Sequence, residues 1–131
     1  MIQEVMTQED KELLFKDLCV RLPYNVICQV EFKESGKYNS KVMLLSGIFT
    51  DEAYFTTKGG SIYSNEYKPY LFPCSRMTDE QEEEYNDLNN YELGCFPHTE
   101  DALDYLIKNH FDYRGLIPMG LAIDATVLDI Y

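Results

Sequence analysis

The chain has 131 residues, with 23 acidic side chains against 11 basic ones and a net charge of -12. That length fits a single domain, and a chain of this size buries about two thirds of its unfolded surface, enough for a core without metal or disulfides. The charge argues against a general nucleic-acid backbone binder, which needs basic groups to replace counterions, and against an anionic membrane surface.

Hydrophobic content of 45% with 14% aromatics is ordinary for a globular protein and speaks against wholesale disorder. No apolar run reaches the roughly 18 residues needed to span a bilayer. The start, MIQEVMTQEDKELLF, carries acids where a secretory signal has a basic start and an apolar core. The expectation is a cytoplasmic protein. Cys19, Cys28, Cys74 and Cys95 form no CxxC pair, so in a reducing compartment they are expected to be free, small core residues.

In chain order, Thr7-Gln8-Glu9-Asp10 opens a helix with a capping pattern, Asp10 standing where Glu or Gln is usual. Leu13, Leu14, Leu18 and Leu22 recur at helical spacing, and Pro23 stops the helix, which spans about Thr7 to Arg21. Val26, Cys28, Val30 and Phe32 alternate with more polar neighbours, the mark of a half-buried strand. Glu34-Ser35-Gly36-Lys37 turns the chain into a second strand, Lys41 to Phe49. Ala53 to Thr57 reads as a third strand, ended by Gly59-Gly60. Ile62-Tyr63 and Tyr67 to Phe72 add one or two more. Pro69 and Pro73 lack an amide donor, which predicts an edge strand or a strand end there. Thr78 caps a helix from Asp79 to about Asn89, and Thr99-Glu100-Asp101 opens a third, ending near His110. Leu116 to Tyr131 is expected as a last strand or an extended segment packed on the core. The predicted fold is α+β: an N-terminal helix, a small curled antiparallel sheet or SH3-like barrel, then two C-terminal helices and an extended tail.

The acidity is regional. Residues 1–76 hold 10 acids and 9 bases, whereas residues 77–131 hold 13 acids and 2 bases. The near balance of the first part leaves room there for a local basic patch. On the predicted helix, Glu80, Glu83, Glu84 and Asp87 fall at i, i+3, i+4 and i+7 and share one face. Like charges at this spacing cost about 0.2–0.5 kcal/mol per pair. Such a face either solubilises the chain or attracts a basic partner. It can also imitate a nucleic-acid backbone. Tyr54, Tyr63, Tyr67 and Tyr70 lie in the strand region, and tyrosine offers a large recognition area at low entropic cost. Tyrosine is also a common half-buried strand residue, which needs no partner.

Chemistry is sparse. Cys95-Phe96-Pro97-His98 places a thiol and an imidazole at half-site spacing for zinc, with Cys74 and His110 as possible further ligands. His110 is more simply a cation at the carbonyl end of the third helix. Arg114 is expected to pair with a nearby carboxylate and fix the turn before Leu116. No P-loop or dinucleotide fingerprint is present, and no motif activates a particular cysteine as nucleophile. No catalytic residue and no cofactor are assigned.

Three stretches, LLFKDLCVRLPY (Leu13–Tyr24), KPYLFPCSRMTDEQ (Lys68–Gln81) and HFDYRGLIPMGLAI (His110–Ile123), together resemble a set of short uncharacterised proteins of gut bacteria. Many of these are carried on phages and other mobile elements, and no activity is established for the set. The resemblance implies context only: an accessory or host-interaction role and no metabolic chemistry. The expected function is a non-enzymatic interaction module. It docks a basic partner protein through Glu80, Glu83, Glu84, Asp87, Tyr63, Tyr67 and Tyr70. The alternatives are an anti-defence protein acting by nucleic-acid mimicry or nucleotide sequestration, and a small zinc protein or enzyme using Cys95 and His98. Neither direct nucleic-acid binding nor a membrane is expected, and oligomeric state is not legible.

Overall fold

The computed structural model describes residues 6–49, 52–90 and 96–131. Among the described residues three α-helices form where the caps place them. Helix α1 spans Gln8–Arg21, with the Thr7 hydroxyl accepting from Asp10 N. Its turns toward the sheet bury Leu14, Asp17, Leu18 and Arg21. Helix α2 spans Asp79–Asn89 and opens on a full capping box, in which Thr78 and Gln81 each accept from the other's backbone. Helix α3 spans Glu100–Lys108 behind the Thr99 cap.

The sheet begins with a long ribbon, β1 (Ile27–Glu34) and β2 (Lys37–Ile48). Ser35 and Gly36 turn it, both at positive φ, as a two-residue hairpin requires. Strand β2 starts four residues before the predicted strand. Lys37 to Val42 are exposed, because the far end of the ribbon projects beyond the core and shows no one-sided burial. Strands β3 (Ala53–Thr57), β4 (Gly60–Ser64) and β5 (Glu66–Pro73) follow. Strand β5 crosses back to pair antiparallel with β1, giving the order β4-β3-β2-β1-β5, with β6 (Phe111–Asp112) beyond it. Strand β7 (Ile123–Asp124) also pairs β5, and both short strands run parallel to it.

The sheet curls but stays open, so the barrel reading gives way to an open, mostly antiparallel sheet with helices. The curl brings the end of β4 back toward β1, where the Ser64 hydroxyl donates to Glu31 O at 2.6 Å. The ladder between β4 and β1 does not form, and this is what keeps the sheet from closing.

Pro73 ends β5, as one of the two expectations had it, but the expected edge position of the strand is corrected. Strand β5 is internal, flanked by β1 on one side and by β6 and β7 on the other. Pro69 stands opposite Cys28, whose own bonds run to β2. At such a position the missing N–H points away from β1, so the ladder loses nothing.

Two apolar clusters are formed among the described residues. One lies between α1 and the sheet, around Leu18, Val26, Val30, Phe55 and Leu71. The other gathers Tyr85, Ala102, Leu106 and Phe111 between α2, α3 and the end of the sheet. No helix among the described residues is long and apolar enough to cross a membrane.

Candidate functional site

The acidic face of α2 is built as the spacing implies. Gln81, Tyr85 and Asn89 form the stripe that packs inward, and Glu80, Glu83, Glu84 and Asp87 are exposed. Asn89 is buried and bonds Phe96 and His98. Its side-chain amide donates to Phe96 O at 2.8 Å, and its carbonyl accepts from His98 N. Glu84 stands beside Tyr105, whose hydroxyl burial, together with that carboxylate, pushes up to about 12. Among the described residues the ion pairs are Arg21–Asp17 and Arg114–Asp17. No cation among them neutralises the α2 face.

The tyrosines divide. Tyr63 is 57% exposed and packs with tilted rings against its cross-strand neighbour Tyr54 at 4.8 Å, with Phe49 at 6.2 Å. Tyr67 is half-buried against Phe55 at 5.2 Å, and burial pushes its hydroxyl up to about 12. Tyr70 is 6% exposed and belongs to the core. Tyr63 alone of the three presents its ring to solvent. It sits on the outermost strand of the sheet order, whereas α2 packs near the β5–β6 end. The acidic face and Tyr63 therefore belong to separate surfaces.

A buried polar centre joins α1 to the C-terminal segment. Asp17 and Arg21 are fully buried and meet at 2.7 Å. Arg21 also donates to Phe111 O at 2.7 Å. Arg114, 97 residues away, donates to the second Asp17 oxygen at 3.0 Å, as its expected carboxylate pairing requires. Both guanidinium groups lie over the Tyr113 ring. The next turn is fixed by Asp112, whose two oxygens accept from Leu116 N and Ile117 N at 2.9 Å.

His110 is not the helix-end cation expected from sequence. Its backbone is left-handed (φ 64°), and its ring stacks on Tyr131 at 3.8 Å. Burial and the Arg21 charge lower its pKa to about 4, so it is neutral at pH 7. The proposed zinc set is not assembled by what the structure describes. Cys74 is disulfide-bonded, which takes its sulfur out of a thiolate set and removes the cysteine argument for a reducing compartment at that position. Cys95 lies outside the described residues. Cys19 and Cys28 are free thiols, as expected, but only Cys28 is a core residue; Cys19 is exposed, on the solvent side of α1. Among the described residues no group of three or more His, Cys, Asp or Glu side chains could hold a metal ion.

Sequence reasoning missed Asp17, Arg21 and Asn89. The first two were legible as an i, i+4 pair inside α1, a spacing usually met on a solvent face. No family model, curated protein or solved structure matches the chain.

Proposed function

We propose that the chain is a non-enzymatic interaction module that docks a basic partner protein through the acidic face of α2. The observation that carries this reading is the exposed, unneutralised row Glu80, Glu83, Glu84 and Asp87, with no ion pair to any of them among the described residues. Repulsion along the row works against the helix. The helix is held by its capping box and by the burial of Tyr85 and Asn89. A basic partner would relieve the repulsion and gain from long-range attraction during encounter. Tyr63, with Tyr54 and Phe49, offers a second and separate contact. The resemblance to proteins of phages and mobile elements fits a host-directed partner.

Neutralising the row as Glu80→Gln, Glu83→Gln, Glu84→Gln and Asp87→Asn tests the reading. Exposed pairs contribute about 0.2–1 kcal/mol each, so losing four weakens partner binding at least about fourfold. Binding unchanged in this variant and insensitive to salt contradicts it.

A further inference from the structure

Antiparallel ladders alternate between residues that exchange both main-chain bonds with a neighbour and residues that turn them to the other side. The β3–β4 hairpin closes on Thr57 and Gly60. By alternation Phe55–Ile62 and Ala53–Ser64 are the other bonded pairs, so Ser61 and Tyr63 turn their N–H and C=O outward. The β1–β2 hairpin closes on Glu34 and Lys37. By the same rule Lys33 turns its main chain away from β2, and β5 reaches along β1 only as far as Glu31. Among the described residues, two unpaired main-chain edges thus face one opening. At the Tyr63 end a groove of about 450 Å³ occupies it, lined by Glu31, Lys33, Glu52, Ile62, Tyr63 and Glu66 among others, and at the Ser61 end one of about 290 Å³, lined by Ser61, Lys33, Glu34 and Lys41 among others.

Apart from the Ser64 hydroxyl bond to Glu31 O at its last residue, nothing on β4 protects this edge. Gly60–Ser64 holds no lysine and no proline, the usual devices against strand addition. The Tyr63 groove carries the carboxylates of Glu31, Glu52 and Glu66 against Lys33, whose ammonium lies over the Tyr38 ring at 5.0 Å, while the Ser61 groove adds Glu34 and Lys41, which offset one another.

We infer that β4 receives an extended, basic peptide segment of a partner as an added strand. Main-chain bonds to Ser61 and Tyr63 give affinity, and the three carboxylates select lysine or arginine on the peptide. This deepens the basic-partner reading and rests on it, but uses a surface apart from α2.

The test titrates isotope-labelled full chain with two nine-residue probes, one alternating Lys and Val and the other alternating Glu and Val. The inference expects the Lys peptide to bind more tightly and to shift the Ser61 and Tyr63 amides. Ser61→Pro removes an outward N–H without touching the β3 ladder, and weakens binding roughly two- to twelvefold. A Lys peptide N-methylated at two alternate residues loses roughly fivefold or more on the unaltered protein, which separates lost pairing from misfolding. Binding of neither probe, preference for the Glu peptide, or full affinity of the methylated peptide overturns the inference. So does a dimer of the unliganded chain paired through β4. If the α2-neutralised variant loses the Lys peptide while Ser61→Pro keeps it, the edge proposal fails and the α2 reading stands.

Discussion

Asp17→Asn tests the role given to the buried polar centre. The substitution keeps the size of the side chain and removes its charge. Arg21, fully buried, then keeps its charge without a counterion, and Arg114, 20% exposed, loses the same partner. Removing one member of a buried ion pair costs about 3–5 kcal/mol. An unfolding entropy of about 2.1 cal/mol/K per residue makes about 0.28 kcal/mol/K for this chain, so the melting temperature falls by about 11–18 °C. Thermal unfolding followed by far-UV circular dichroism reads this directly. The double substitution Asp17→Leu with Arg21→Met removes both buried charges and recovers more than half of the loss, because hydrophobic replacements of a buried pair are often close to neutral. An Asp17→Asn protein melting within about 4 °C of the parent refutes the reasoning, since that is roughly 1 kcal/mol for a chain this long.

Thr78→Ala removes the cap of α2 and costs about 1 kcal/mol, read as a melting temperature about 4 °C lower. Tyr131→Phe removes a hydroxyl that donates to Tyr70 O and accepts from Ile27 N where the β1–β5 ladder ends. The Ile27 amide loses this partner in an exposed position, and stability falls by about 0.5–1.5 kcal/mol in denaturant unfolding. The folded pKa of His110, about 4, lies below the ordinary value of 6.5, so as pH falls the unfolded chain takes up that proton first. Its contribution to stability is full above about pH 6.5 and is lost as pH falls toward 4. His110→Asn, which tolerates the left-handed backbone, flattens that part of the stability profile measured by denaturant unfolding at several pH values.

The helices were legible because their ends carry side-chain signals: Thr7, Thr78 and Thr99 each accept from a first-turn amide. The strands were legible where one face is buried, as at Val30 and Phe55. They were not where the β1–β2 ribbon leaves the core, since Lys37 to Ser40 show no alternation. The closure of the C-terminal segment was hidden for a different reason. Tyr131 bonds Ile27 across 104 residues, and Arg114 bonds Asp17 across 97. Local pattern carries no trace of such pairings. The exposed acids of the candidate site followed from helical spacing alone, whereas the burial of Tyr70 depends on strands that flank β5 on both sides.

Parallel affinity capture from an extract of the native host tests the central claim most directly. The unaltered chain is compared with Glu80→Lys, Glu83→Lys, Glu84→Lys protein of equal thermal stability. The account predicts a basic partner retained by the unaltered chain, released by salt, and absent from the reversed variant. The same partners retained by both proteins contradict it.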